Sequence, residues 1–342
     1  MKILYGIQGT GNGHVTRSTQ IIDRLKKKEI DVDVIFSGCG PNKFFDRSVI
    51  PRATFFKGFT FSIKNGRIRY YDTAKNISLT RFKTDINSFD AAGYDLVITD
   101  FEPVSAGIAK KNRLPCIGIG NQYAFAHKIP MNRFNLFARS VLKHFAPADT
   151  ALGMHWHHFD QPIIPPVISD NVKPASAADK RLILVYLPFD DPDTLRNFLY
   201  PFHSYTFAVY TADRNREIKS DHNIIWHPFS KTTFYTDLSR CAGVICNAGF
   251  ELPGEALFLG KKLLVKPIHG QFEQSANAKA LNLLGYGSVI TRLDKPFLAR
   301  WLSDAPGIKR TYPDVSGQIS EWISAGKWDD TTKLVQACWQ WD

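Results

Sequence analysis

The chain has 342 residues, 44% of them apolar and 22% charged, with a net charge of +11. The length exceeds one ordinary core and suits two domains of roughly 150 residues each. The composition is ordinary for a soluble globular protein, and no uncharged apolar run reaches the roughly 18 residues that a membrane span needs.

Lys and Arg outnumber Asp and Glu by 23 to 14 over residues 1–170, but only by 20 to 18 over 171–342. The first half therefore holds nearly all the positive excess. Such a field favours an anionic partner: a membrane surface, an acidic or phosphorylated substrate, or nucleic acid. The five cysteines (Cys39, Cys116, Cys241, Cys246 and Cys338) form no CxxC pair, and no signal-peptide pattern is visible. Reduced thiols in a cytoplasmic protein account for both.

In chain order, the apolar run 2–7 predicts a strand, and a helix follows from near Val15 to about Lys28. Residues 32–38 predict a second strand. Segment 53–71 is rich in β-branched and aromatic residues around Asn65-Gly66, a hairpin signal. A helix is expected over 74–91. Residues 95–100 and 116–120 are continuous apolar runs with helical sequence between them, the pattern of buried parallel strands. Residues 161–178 contain four prolines and little periodicity, which predicts a domain boundary at 165/166. The second half restarts the rhythm. Strands are expected at 181–188, 206–212, 223–229, 243–247 and 262–267, and helices at 193–202, 232–241, 251–260 and 273–285. Gly285 supplies a C-cap signal. The fold class is α/β, two Rossmann-like doubly wound sheets in series over 1–165 and 166–342.

The segment "GTGNGH" (9–14) joins the first strand to its helix. As a dinucleotide fingerprint it fails, because His14 takes the place of the third glycine and the second strand ends without an acid. As a P-loop it fails, because Asn12 stands where a lysine is required. The physics of the turn remains. Glycines at 9, 11 and 13 permit backbone angles other residues avoid and let a ligand approach closely. The helix start aims its N–H groups at that ligand. His14 would sit at the mouth, at the carboxyl edge of the first strand, where open α/β sheets place their sites. Histidine suits base catalysis near neutral pH. Asp100 and Glu102, in "ITDFEP" at another strand end, can orient His14 or replace it as base. Arg17, one turn into the helix, can meet a diphosphate or an anionic acceptor.

In the second half, "NAGFELPGE" (247–255) begins at a strand end and opens a helix, a second set of free backbone amides. Glu255 can accept hydrogen bonds from ribose hydroxyls. "GQFEQSANA" (270–278) places Glu273, Gln274 and Asn277 at another helix start, where carboxylate and amide groups suit a polyhydroxylated ligand. Asp191-Pro192-Asp193 lies away from these loops. His155, His157 and His158 have no acid or cysteine at helpful spacing, so no metal site is expected.

These segments resemble a glycosyltransferase of the GT-B fold, in the branch of MurG-like and UDP-glucuronosyltransferase-like enzymes. They are also similar to a group of predicted microbial glycosyltransferases with an N-terminal GxGH and a DFEP segment. The UDP-sugar branch carries HxGxxxxxE, then a proline-containing strand, an acid-Gln pair and Asn-Ala. Asn247 stands for the histidine; Gly249, Glu255, Pro267, Glu273-Gln274 and Asn277-Ala278 match the rest, with two extra residues before the pair. "IWHPF" (225–229) resembles the segment lining the base pocket.

The resemblance implies a metal-independent, inverting transfer from a nucleotide-diphosphate sugar, a UDP-sugar by this branch, to an acceptor hydroxyl. Donor contacts fall to Gly11, Gly13, Phe229, Asn247, Ala248, Gly249, Phe250, Glu255, His269, Glu273, Gln274 and Asn277. Acceptor contacts fall to Arg17, Asn121 and Gln122, and the base is His14, Asp100 or Glu102. Asn247 stands where the branch has a phosphate-facing histidine, and an asparagine can donate a neutral hydrogen bond there. No cofactor is implied beyond the sugar nucleotide. The implied partner is a glycan or lipid-linked acceptor, with an anionic membrane surface fitting the basic first half. The implied place is the cytoplasm, peripheral to the inner membrane face; nucleic acid is not expected. A nucleotide-sugar 2-epimerase and a non-catalytic binder of acidic polymers stay open as alternatives.

Overall fold

The computed structural model describes residues 1–9, 11–38, 53–59, 63–64, 67–68, 78–131, 143–211 and 218–339. The first half holds β1 (Lys2–Gln8), α1 (Asn12–Lys26), β2 (Asp31–Ser37), β3 (Thr54–Phe56), β4 (Ile63–Lys64), β5 (Arg67–Ile68), α2 (Leu79–Ser88), β6 (Leu96–Asp100), α3 (Pro103–Asn112), β7 (Cys116–Gly120), α4 (Asn121–Ala124) and β8 (Thr150–Gly153). The second half holds β9 (Asp179–Tyr186), α5 (Pro192–Leu199), β10 (Thr206–Thr211), β11 (Lys219–Asp221), β12 (Ile224–Pro228), α6 (Lys231–Arg240), β13 (Cys241–Cys246), α7 (Glu251–Phe258), β14 (Lys262–Val265), α8 (Phe272–Leu283) and β15 (Ser288–Val289). Three helices close the chain: α9 (Lys295–Asp304), α10 (Val315–Ser324) and α11 (Thr332–Cys338).

Six strands form a sheet of order β3-β2-β1-β6-β7-β8, parallel throughout. Seven form the other, of order β11-β12-β10-β9-β13-β14-β15, parallel except at its β11 edge. The continuous apolar runs explain this. In β1, Ile3, Tyr5 and Ile7 enter the large core that runs through both halves, while Leu4 enters the core on the opposite face. In β9, Leu182 and Leu184 face the shared core, and Ile183 and Val185 the outer one. Strands buried on both faces need apolar residues at every position, not at alternate ones.

Each sheet reverses its strand order at one place, between β1 and β6 and between β9 and β13. Loops that leave strands at such a reversal diverge to opposite faces and leave a crevice at the carboxyl edge. The segments 11–14, 187–191 and 247–250, and the end of β6 at Asp100, therefore open onto these crevices. The chain ends on the half in which it began. Arg24 pairs with Asp314 at 3.1 Å and Lys28 with Glu321 at 2.5 Å, above a seam where Ile319 and Ile323 join Ile21, Ile22 and Leu25 in one core.

Three local expectations change. The first helix begins at Asn12, not near Val15, so Gly13 and His14 lie in its first turn. None of Gly9, Gly11 and Gly13 has a positive φ, and Gly11 sits at φ −150°. Their value is therefore close approach and not an unusual backbone. The second helix is Leu79–Ser88, shorter than 74–91. The hairpin strands pair antiparallel, Ile63 with Ile68 and Lys64 with Arg67, while the turn Asn65-Gly66 lies outside the described residues. Cys39 also lies outside them; the other four cysteines are buried free thiols.

Gly6 lies where β1 crosses α3. A Cβ there would sit 2.0 Å from Ser105 Oγ and 2.4 Å from Ser105 Cβ. Gly6→Ala is expected to lose about 1–3 kcal/mol by urea denaturation, as overpacked cores do. Gly11→Ala, whose Cβ would meet only His14 Cδ2 at 3.9 Å, is expected to stay within about 0.5 kcal/mol.

Candidate active site

The first crevice holds a compact polar cluster. Asp100 ends β6, fully buried. Its Oδ1 lies 2.8 Å from His14 Nδ1 and accepts from Arg17 Nη2 at 2.5 Å. Its Oδ2 accepts from Arg17 Nε at 3.1 Å and from Ser18 Oγ at 2.7 Å. Helical spacing explains the convergence: His14, Arg17 and Ser18 are three and four residues apart, so they share one face of α1. Burial opposes ionisation of Asp100, but Arg17 and His14 beside it outweigh that and hold its carboxyl down at about 2. An ionised Asp100 must accept, so His14 donates through Nδ1–H and keeps a lone pair on Nε2. Arg17 Nη2 also lies 3.1 Å from His14 Nδ1, but that donor is already committed to Asp100.

Arg17 is only 2% exposed, and its Nη1 donates to Glu251 Oε1. Glu251 is the first residue of α7 in the other half. Two further contacts cross the same gap. Asn12 Nδ2 donates to the Tyr186 hydroxyl at 3.0 Å, and Gln122 Nε2 to Glu273 Oε2 at 3.0 Å. Gly13 makes the approach possible, because a Cβ on it would lie 2.8 Å from Glu251 Cγ. Arg17, expected to meet a diphosphate or an anionic acceptor, is in this structure a buried link between carboxylates of two sheets. A guanidinium carries this role well, since its fork serves two carboxylates at once.

The carboxyls around the gap are pushed upward. Burial raises Glu251 to about 7 against the pull of Arg17. Glu255, one turn further along α7, is 4% exposed; burial, with Glu251 adding to it, raises it to about 8. The Tyr235 hydroxyl donates to its Oε1 at 3.1 Å. Burial also raises Glu273, while His14 and Gln122 oppose the rise.

Glu102 belongs elsewhere. It caps α3, accepting from Val104 N at 2.8 Å and Ser105 N at 2.6 Å, and takes the Ser37 hydroxyl at 2.5 Å. A carboxylate committed to a helix cap and buried beneath Gly6 is part of the scaffold, so the expectation that Glu102 orients or replaces His14 is corrected. Trp226 lies in the outer core of the second sheet, 3% exposed, and not at the crevice; half-buried Phe229 stacks on Phe234 at 5.3 Å and meets Tyr186 at 5.7 Å.

The loops after β13 and β14 hold one another. Asn247 Nδ2 donates to Lys266 O at 2.9 Å, and Asn277 Nδ2 to Ala248 O at 3.1 Å. Gln274 Oε1 accepts from Ile268 N at 2.9 Å, so its carbonyl braces the loop. Lys266 Nζ reaches Asp190 Oδ1 at 2.7 Å. Phe250 is buried against Trp156, ring centroids 5.1 Å apart. His269 is exposed on the β14–α8 loop, and Gly249 has open space where a Cβ would stand. Asn121 Nδ2 donates to Met154 O at 3.0 Å. Four buried carbonyl oxygens, Asn121 Oδ1, Gln122 Oε1, Asn247 Oδ1 and Asn277 Oδ1, have no hydrogen-bond partner. His155 is buried against Trp156 and Phe159, and burial lowers it to about 3; His157 and His158 accept from the backbone of their own turn. Among the described residues no group of three or more His, Cys, Asp and Glu is placed to hold a metal ion, and no helix is long and apolar enough to cross a membrane.

Sequence reasoning missed Glu251, Tyr235 and Tyr186. Glu251 was inside the quoted "NAGFELPGE", but an acid at a first helical position reads as ordinary dipole compensation.

The raised carboxyls give stability a pH dependence. Glu255 binds its proton up to about 8 in the folded chain but only to its ordinary 4.5 when unfolded. Its stabilising contribution is complete below 4.5 and is lost as pH rises through 8. Glu251 acts with the same sign up to about 7; Asp100, held at about 2, matters only as pH falls below its ordinary 3.8. Between roughly pH 5 and 9 the Tm of the wild type is therefore expected to fall, and Glu255→Gln to flatten that fall. Equal slopes in a pair of thermal-denaturation series would remove Glu255 as a source.

Comparison with known proteins bears on what this cluster does. Residues 1–306 match the profile described as glycosyl transferase family 1. SnogD, a glycosyltransferase from Streptomyces nogalater, is 14% identical with TM-score 0.57, covering 95% of this chain and 99% of that one. CalG4, the calicheamicin glycosyltransferase, is 15% identical with TM-score 0.58, covering 99% and 98%. SsfS6 of Streptomyces sp. SF2575, complexed with thymidine diphosphate, is 13% identical with TM-score 0.59, covering 95% and 99%. A search of curated proteins found no match. At these identities the structures establish the fold, GT-B, with two Rossmann-like domains. By the profile over 1–306, the chain belongs to glycosyl transferase family 1 and is a glycosyltransferase.

Proposed function

We propose that the chain moves a sugar from a nucleoside-diphosphate donor to an acceptor hydroxyl by a single displacement, with His14 as base. The observation that carries this reading is the 2.8 Å pair of His14 Nδ1 and Asp100 Oδ1 at the edge of one sheet, facing the β13–α7 loop of the other. Nε2 takes the hydroxyl proton, the hydroxyl oxygen bonds to the anomeric carbon, and the bond from that carbon to the β-phosphate oxygen breaks. The nucleoside diphosphate leaves with the electron pair. Asp100 keeps the ring in the productive tautomer and stabilises the imidazolium, as the acid of a Ser-His-Asp triad does. Attack opposite the leaving group inverts the anomeric centre.

Leaving-group charge falls to free backbone amides, without a metal ion. Both α1 and α7 start at the gap with no side-chain cap, at Gly11 and Phe250, so no capping side chain competes for their first N–H groups. The open space at Gly249 leaves room for a diphosphate beside α7. The four unpartnered carbonyl oxygens favour a ligand rich in hydroxyl donors, since buried acceptors are rarely left unmade. Glu273 and the free amide of Gln274 would serve the sugar. Glu255 would serve the ribose once the Tyr235 hydroxyl yields its place. Phe229 offers a ring to the base. The thymidine diphosphate complexed with SsfS6 supports a pyrimidine diphosphate, uridine or thymidine. The basic excess of residues 1–170 supports an anionic, lipid-linked or glycan acceptor at a membrane face, with its charge outside the acidic gap.

A thermal-shift screen with UDP, dTDP, GDP and their sugars tests the donor. Stabilisation by a pyrimidine diphosphate is expected, and no response to any of them would sink the proposal. With a donor in hand, His14→Ala is expected to lower kcat about 10²–10⁴-fold, the usual worth of a positioned base. Proton NMR of the product is expected to give the inverted anomer; retention would exclude the single displacement.

A further inference from the structure

We infer that Glu251 is a positioning residue for the base, acting through Arg17 and Asp100 from the opposite half of the molecule. This rests on the base role proposed for His14. The path is continuous: Glu251 Oε1 takes Arg17 Nη1, Arg17 Nε and Nη2 grip both oxygens of Asp100, and Asp100 Oδ1 holds His14 Nδ1.

Two physical reasons make Glu251 more than a structural partner. The first is geometric. The guanidinium presents Nε and Nη2 to one carboxylate and Nη1 to another. Without the second carboxylate, a buried Nη1 has no acceptor, and Arg17 is drawn away from Asp100 towards any other. The second is electrostatic. The charged groups facing His14 are Arg17 from α1, Asp100 from β6, Glu251 from α7 and Glu273 from α8. Arg17 by itself cancels Asp100, and an imidazolium forming beside that neutral pair gains little. Glu251 in its ionised form adds a negative charge to the link, so the proton taken by His14 then meets a more favourable field.

Glu251 also begins the helix that follows the 247–250 loop, so the base and the proposed donor loop share one rigid connection. The Arg17–Glu251 contact that braces the His14–Asp100 pair is made only while the two halves are together. Arg17 and Glu251 thereby tie the readiness of the acceptor side to the position of the donor side.

The test needs no substrate. A ring N–H held against a carboxylate exchanges slowly with water and gives a low-field proton resonance. Wild type is expected to show one that disappears in His14→Gln. In Glu251→Ala it is expected to broaden into exchange with water. In Glu251→Gln, which keeps an acceptor for Nη1 but not its charge, it is expected to move upfield. Should Glu251→Ala fail to fold, the isosteric Gln variant decides. A resonance unchanged in every variant that folds would overturn the inference, as would its absence from wild type. A wild-type resonance that responds as expected in a protein that binds no nucleotide would leave the positioning role standing and remove the sugar-transfer reading.

Discussion

A cation buried between two carboxylates governs the rest of this structure. Arg17 is 2% exposed, and a guanidinium taken out of water costs several kcal/mol unless its hydrogen bonds are made. Asp100 satisfies two of its edges from the same sheet, but the third edge points across the gap. An acceptor from the other half fills it, and Glu251 is that acceptor. The electrostatics of one side chain therefore require the two sheets to face each other. The shared core, with Trp156 donating through Nε1 to Phe250 O at 3.2 Å, gives that arrangement an apolar floor.

The gap is chemically unlike the surface around it. The chain is basic overall, yet Asp100, Glu251 and Glu273 converge here on one buried cation and one histidine, with Glu255 one turn beyond Glu251. Acids placed close together in a dry site resist ionising together, which is why burial lifts three of them while Arg17 and His14 hold Asp100 down. The division is useful. Asp100, held ionised, orients the imidazole, while Glu255, raised by burial, already takes a neutral hydroxyl, that of Tyr235. Basic residues outside the gap can attract an anionic partner without competing for the reacting atoms.

Much of the fold was legible because buried parallel strands demand unbroken apolar runs, and "LVITD" or "CIGIG" have no other reading in a doubly wound sheet. The positions of His14, Asp100 and the 247–255 segment followed, since each lies at or just past the carboxyl end of a strand. What sequence could not separate was the duty of neighbouring polar residues. Asp100 and Glu102 stand two apart in "DFEP", but one closes the strand facing the crevice and the other turns under the sheet to cap a helix. Arg17 looked like a ligand contact because its spacing from His14 put it on the correct helix face. Its partner lies 234 residues away, beyond any local pattern. Glu255 matches the motif acid by spacing alone, which shows neither its burial nor the Tyr235 hydroxyl it accepts.

Gly13 has a consequence beyond admitting a close approach. The missing methyl group leaves 2.8 Å between a would-be Cβ and Glu251 Cγ, so position 13 works as a shim of zero thickness between two plates. Any side chain there would wedge the plates apart by an amount set by its volume, and each increment would stretch the Arg17–Glu251 contact first. The width of the gap is thus written in a single position on the first turn of α1, as the absence of an atom.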